Sequence, residues 1–271
     1  MPDSGLPEAD AKVTPRGGRF RVGVQLEPQH CSVDELRDAW RRADDLGVDS
    51  IWTWDHFFPL GGDPDGRHYE GWTLLAAMAC DTARARIGIL VSCHTYRSPD
   101  LVADMARTID HISGGRVILG YGAGWAERDY EEYGFEFGTV KSRVAALEPG
   151  VIRIKARLAK LNPPPVGPMP LMIGAEGERV MLRVTAEHAD IWNGFGPVET
   201  FARKSRVLDD WCEKVGRDPA SIERSVLLDG PDEIGRVEDF LAAGAQEIIV
   251  PAGAPFDLED VTTVMRMAGS G

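Results

Sequence analysis

Short apolar runs rich in β-branched residues recur along the chain, and most are followed by a stretch whose apolar positions repeat every three or four residues. That alternation predicts βα units from end to end and argues against separate helical and strand domains. Eight pairs can be traced. The predicted strands are Phe20 to Leu26, Ser50 to Thr53, Ile87 to Ser92, Val117 to Tyr121, Leu171 to Ile173, Ile191 to Asn193, Ile222 to Leu228 and Glu247 to Val250. The first helix opens on the S-x-x-E capping box Ser32 to Glu35 and stops at Gly47. A second follows a polar, Gly-rich loop near Trp72 to Thr82. The third opens on Ser98-Pro99, a capping residue followed by proline at the first helical position, and ends before Gly114-Gly115. Gly122 to Gly138 reads as a long loop with its own short helix, and a helix over 141–161 should break or kink at Pro149-Gly150. Later helices are expected over 178–188, 198–215, 232–243 and 258–267.

Eight units in a chain of 271 residues, 43% of them hydrophobic, suit a closed (β/α)₈ TIM barrel better than an open doubly wound sheet. The expectation is a single domain over residues 19–271 behind a disordered tail over 1–18, with a proline-rich link, Leu161 to Pro170, as a shortened insertion between the fourth and fifth strands. No apolar run reaches the length of a membrane span, and the first 18 residues lack the apolar stretch of a secretory signal, so a cytoplasmic protein is expected, with no membrane partner. Cys31, Cys80, Cys93 and Cys212 form no C-x-x-C pair, which fits reduced thiols and no zinc ribbon. A formal charge of -13 would repel a phosphate backbone, so nucleic acid is excluded as a partner and an anionic cofactor needs a local positive pocket or helix N-termini.

In a barrel the active-site face is formed by the residues that follow each strand. Here these include Trp54-Asp55-His56, Cys93-His94-Thr95-Tyr96-Arg97, Gly122-Ala123-Gly124-Trp125 and Gly174-Ala175-Glu176-Gly177. Asp55 stands beside His56, whose side-chain type titrates near neutrality, so the pair is the candidate acid/base; the alternative is a histidine packed among Trp54, Phe57 and Phe58. The two glycine clusters let the backbone approach a ligand, and the second precedes a helix able to hold a phosphate, although strand-end glycines are also ordinary turn residues. Trp54 and Trp125 are the tryptophans expected to touch a planar ring. His30 and Cys31 lack a second ligand at helical spacing, so no metal site is expected. Neither a G-x-S-x-G elbow nor a P-loop is present.

Taken in order, V-G-V-Q, I-W-T-W-D-H-F, T-Y-R-S-P, R-V-I-L-G-Y-G-A-G-W, P-L-M-I-G-A-E-G and A-E-H-A-D-I-W-N resemble the bacterial luciferase-like superfamily, within it the oxidoreductases that use the 5-deazaflavin coenzyme F420. The match is clear from Arg19 to Asn193. The resemblance implies a deazaflavin across the strand ends, faced by Asp55 and His56, with His56 assisting protonation. It also implies that Leu90-Val91-Ser92-Cys93 forms a bulge with a non-prolyl cis peptide behind the ring, that Gly122 and Gly124 border the cofactor, and that Gly174, Ala175 and Gly177 hold its phosphate. FMN-using relatives more often carry Glu-His-His where this chain has Asp55-His56, which favours F420 over FMN. Trp125 stands where the sugar-phosphate dehydrogenases of the group place a glutamate, so their substrate is not carried over, and a shortened insertion puts its covering of the substrate in doubt. The leading reading is F420-dependent hydride transfer with a small organic substrate in a homodimer; an FMN-dependent monooxygenase and a catalytically silent F420-binding protein are the alternatives.

Overall fold

Each predicted run becomes a strand. In the computed structural model, which describes residues 18–269, the strands are β1 (Arg21–Leu26), β2 (Ser50–Thr53), β3 (Arg86–Ile89), β4 (Ser92–Cys93), β5 (Val117–Gly122), β6 (Leu171–Gly174), β7 (Ile191–Gly194), β8 (Glu223–Leu227) and β9 (Glu247–Ala252). They pair in parallel in the order β3-β2-β1-β9-β8-β7-β6-β5-β4. A further pairing of β3 with β5, Ile87 opposite Val117 and Gly88 opposite Ile118, closes the ring. β3 and β4 are two pieces of one barrel strand interrupted at Leu90-Val91, so the ring has eight strands and the fold is the expected single-domain (β/α)₈ barrel. The tail expected over 1–18 lies, apart from Gly18, outside the described residues. No helix among the described residues is long and apolar enough to cross a membrane.

The helices are α1 (Val33–Leu46), α2 (Gly71–Asp81), α3 (Pro99–Ser113), α4 (Glu127–Tyr133), α5 (Val140–Leu158), α6 (Met181–His188), α7 (Val198–Val215), α8 (Val237–Ala242) and α9 (Glu259–Ala268). Local chemistry sets their ends. Ser32 and Glu35 form the reciprocal capping box of α1, and Gly47 closes it in the left-handed conformation; Ser98 caps α3 ahead of Pro99. Three expectations are corrected. α5 continues past Pro149 instead of breaking there, because Leu147, Gly150, Val151 and Ile154 are buried on either side of it and that burial outweighs one missing helical hydrogen bond. α6 begins at Met181, three residues late, since Glu178 to Val180 form turns. The helix expected over 232–243 splits into a tight 3₁₀ segment, Pro231–Arg236, and the short α8.

Alternate strand residues point into the barrel and fill it in layers. The lowest holds Arg21, Ser50, Arg86, Glu223 and Glu247, where Arg21 pairs with Glu223, Arg86 lies 3.5 Å from Glu247, and the Ser50 hydroxyl donates to Glu247 at 2.6 Å. Above it, Trp52, Ile118, Met172, Ile191 and Ile249 form an apolar plug. Trp52 fits only because position 88 is glycine: a Cβ there would lie 2.5 Å from the indole ring. The link 161–170 packs at the N-terminal end of the barrel, where Asp110 accepts from the Val166 and Gly167 amides. It lies on the face opposite the strand C-termini, so its shortness does not bear on how the site is covered.

Asp44, at the end of α1, accepts hydrogen bonds from the Ala83, Arg84 and Ala85 amides at 2.9, 3.0 and 2.7 Å and so ties α1 to the turn before β3. Burial opposes its ionisation, but the three amides and Arg84 hold its carboxyl below the usual carboxylate range. A lowered folded value means that its stabilisation is present above the unfolded carboxylate value of about 4 and is lost as pH falls through the folded one. Asp44→Ala should therefore cost about 3 kcal/mol in urea unfolding at pH 7, and the gap from the native protein should narrow below pH 4; a gap independent of pH would refute the assignment.

Candidate functional site

Three βα loops meet over the C-terminal mouth of the barrel, and one carboxylate joins them. Asp129, from α4 in the fourth loop, is 2% exposed. It faces His56 Nδ1 at 2.6 Å, accepts from the Phe57 amide at 3.0 Å in the loop after β2, and accepts from the Tyr96 hydroxyl at 3.0 Å in the loop after β4. Burial alone would raise its carboxyl, yet the hydrogen bonds from His56, Phe57 and Tyr96, together with the His56 charge, hold it below the ordinary range. With Nδ1 turned to Asp129, the Nε2 of His56 bonds to no described residue. The arrangement is that of a histidine held by a carboxylate, with the opposite nitrogen left for a proton.

Adjacency in sequence pointed to Asp55 as the partner of His56, but the structure does not bring the two side chains together. The Asp55 carboxylate lies on the other side of the strand end, accepting from Ser92 Oγ and the Cys93 amide at 3.0 Å each and from Arg97 at 2.8 and 2.9 Å. Arg97 also pairs with Glu70, whose carboxylate caps α2. Burial pushes the Asp55 carboxyl up, and Arg97 and the Cys93 amide oppose that shift. The ion pair locks the strand end in place and leaves Asp129 as the carboxylate that faces His56.

Val91 forms the floor of the mouth. The Leu90-Val91 peptide is cis and not prolyl, at the position of the expected bulge. Gly122 and Gly174 make room for it: a Cβ at 122 would lie 2.6 Å from a Val91 methyl, and one at 174 would lie 3.1 Å from it. These glycines therefore shape the floor through Val91. Ser92 is buried between Asp55 and the Trp72 indole, and Cys93 lies under Tyr130, its sulfur 3.1 Å from the tyrosine oxygen. Ala175 is buried as well, its carbonyl accepting from the Trp192 indole at 3.0 Å. These three belong to the wall behind the mouth. On β7, Asn193 stands opposite Gly174 in register, fully buried, and its Oδ1 finds no partner.

The rim divides in two. On one side an aromatic group of Phe57, Tyr96, Tyr130, Phe135 and Phe137 packs the second, third and fourth loops together. Trp125 stands clear of it, 64% exposed, with its ring centroid 5.4 Å from that of His56. Trp54 is buried against His56 and His68. On the other side the exposed Gly177 lies ahead of α6; Lys204 holds Glu176 at 3.0 Å, Arg203 pairs with Glu178, and exposed Arg179 has no partner among the described residues. An apolar floor and an uncovered indole fit a planar ring, and the Arg179 guanidinium beside the β6 turn fits an anionic tail. Asp129 and Asn193 escaped the sequence reading, and Tyr96 was placed on the active-site face without a role. Asp129 lies 73 residues from its histidine, and only an acidic residue just inside the short helix after Gly124 could have hinted at it.

Residues 18–148 match the family described as luciferase-like monooxygenase. The chain is 33% identical over 142 residues to an F420-dependent glucose-6-phosphate dehydrogenase of Amycolatopsis mediterranei, covering 50% of this chain and 41% of that one. It is 30% identical over 218 residues to a pyrimidine monooxygenase of an Enterobacter species, covering 72% and 56%. The chain thus spans about half the length of these curated relatives. Among solved structures, an F420-dependent secondary alcohol dehydrogenase in complex with an F420-acetone adduct superposes with a TM-score of 0.79 at 16% identity, over 92% of this chain and 98% of that one. That likeness is one of fold.

Gly124 carries the fourth loop past the site at φ +72°, and a Cβ there would lie 2.2 Å from the Tyr130 oxygen and 2.5 Å from Cys93 Sγ. Gly134 has a similar φ, +69°, with open space around it. Gly134→Ala should incur only the left-handed penalty, about 1–2 kcal/mol, whereas Gly124→Ala should incur that and a further ~1–3 kcal/mol for displacing the tyrosine, read by urea unfolding. Equal costs for the two variants would show that the space at Gly124 is not needed.

Proposed function

We propose that the chain, whose residues 18–148 match the luciferase-like family, is a coenzyme F420-dependent oxidoreductase with His56 as its acid/base. When bound, the deazaflavin supplies two-electron chemistry, giving or taking a hydride. The protein itself contributes position and a proton. His56 is carried by the end of β2, Asp129 fixes its Nδ1 side, and Nε2 remains to give a proton to the substrate oxygen or take one from it. Asp129 is a positioning residue, held in turn by Tyr96 and the Phe57 amide. Val91, seated in the space left by Gly122 and Gly174, offers the ring an apolar floor, and Trp125 can cover the ring's outer face. Gly177 and Arg179, ahead of α6, can hold the phosphate. The single observation that carries the reading is the His56–Asp129 pair beside an uncovered tryptophan at the barrel mouth.

The likeness to a pyrimidine monooxygenase keeps an FMN enzyme as the competing reading. The free thiols of the described cysteines fit a reducing, cytosolic setting. A homodimer would bury the groove between α2 and α3, where Leu101 and Ile112 are exposed beside Ala76 and Met105.

Titration with F420 and, in parallel, FMN, followed by tryptophan quenching, should show tight binding of F420, with Trp125→Ala losing some of the signal. Preference for FMN would make the protein a monooxygenase; F420 binding without turnover over a broad panel would make it a silent binder. In a turnover assay His56→Ala should lower kcat by about 10²-fold or more, and Asp129→Asn should lower it by a smaller factor without displacing the cofactor. An unchanged rate in His56→Ala would remove that residue from the chemistry.

A further inference from the structure

Two imidazoles share Trp54. His56 meets it edge-on, with ring centroids 6.0 Å apart and planes at 82°, while His68, from the end of the loop between β2 and α2, lies parallel to it at 6.3 Å and 5°. The Trp54 indole N–H donates to His68 Nε2 at 2.9 Å. An indole N–H can only donate, so Nε2 must present its lone pair and the neutral ring must carry its proton on Nδ1. No described residue accepts that proton, and Nδ1 is not among the sealed, partnerless polar atoms, so it reaches accessible space. Adding a second proton would break the Trp54 bond and place a charge in a half-buried site. Burial, followed by the repulsion of His56, pulls the His68 pKa down to about 4.

The neighbours that act on His68 place it at the same site. The charges of His56 and Asp129 both reach it, as does that of His30 from the loop after β1. The two histidines are thus set apart by their partners: His56 has a carboxylate behind it and can take up a positive charge, whereas His68 has an indole donor and cannot. Like groups given different hydrogen-bond partners by their surroundings are set for different roles.

We propose that His68 positions the substrate, its Nδ1–H donating to an uncharged oxygen, a carbonyl or a hydroxyl, while His56 handles the proton. The inference rests on the oxidoreductase reading and narrows its substrate. A neutral donor can hold a carbonyl or alcohol oxygen in either direction of reaction without surrendering its own proton. Ketones and alcohols present the uncharged oxygen that such a donor fits.

The test has two arms. Long-range ¹H–¹⁵N NMR of the cofactor-free protein should show His68 as the Nδ1–H tautomer from pH 8 down to about 5, and Trp54→Phe should release it to a mixture of tautomers with a higher titration midpoint. A ring protonated on Nε2, or cationic at neutral pH, overturns the proposal. In the second arm the enzyme is loaded with whichever of F420 and FMN the titration selects and assayed with cyclohexanone and cyclohexanol. His68→Phe, which keeps a ring and removes the donor, should raise KM about tenfold, the worth of one hydrogen bond, with kcat changed far less, and His68→Gln should recover most of the loss. A KM that His68→Phe leaves unchanged overturns the substrate contact. Selection of FMN would instead count against the F420 reading, while the NMR arm and the KM split still decide His68.

Discussion

A closed eight-stranded barrel stands only if its interior is filled, and here Trp52 does most of the filling. Its indole lies across Gly88 and its N–H donates to Ser50, whose hydroxyl donates to Glu247 in the charged layer beneath. Position 88 must be glycine for the ring to fit, and position 23 must be glycine for Ser50, since a Cβ there would lie 2.3 Å from its oxygen. With the lower half packed in this way, the upper half is free to be open. The strands there present glycines at 122 and 174, and the space they leave is taken by Val91.

The site follows from that division. Its floor is rigid because Val91 is wedged between two strands, and the strand end beneath it is pinned by Asp55 and Arg97. Above the floor no backbone hydrogen bond among the described residues joins the second, third and fourth loops to one another, so something else must fix their relation. Asp129 does this by collecting a ring nitrogen, an amide and a phenol from two other loops. The same contacts that hold the loops together hold His56 at one orientation. The rim therefore rests on one carboxylate, next to the aromatic cluster of Tyr96, Tyr130 and Phe137. Trp54 has a similar double role a layer below, packing against His56 and donating to His68.

The two carboxylates nearest His56 show why environment decides role. Asp55 adjoins the histidine in sequence but directs its lone pairs to Arg97, Ser92 and an amide, whereas Asp129 comes from a distant helix and faces the imidazole. In a strand successive side chains point to opposite faces, so neighbours in sequence are poor candidates for contact. The parallel ends of different strands, by contrast, converge on one mouth.

The sequence by itself determined the architecture. Hydrophobic periodicity, the Ser32–Glu35 box, Ser98-Pro99 and the closing glycines are local signals, and they placed eight strands, most helix ends and the face on which Trp54, His56, Trp125 and Gly177 stand. Local rules failed where burial overrode them, as at Pro149, whose helix continues because residues on both sides of it are packed. The tertiary structure alone decided which side chains meet: Asp129 with His56 across 73 residues, Val91 with Gly122 and Gly174, Trp54 with His68. Periodicity records which face of an element is buried. The partner waiting on that face is set by the closure of the barrel, which brings together segments that no local pattern relates.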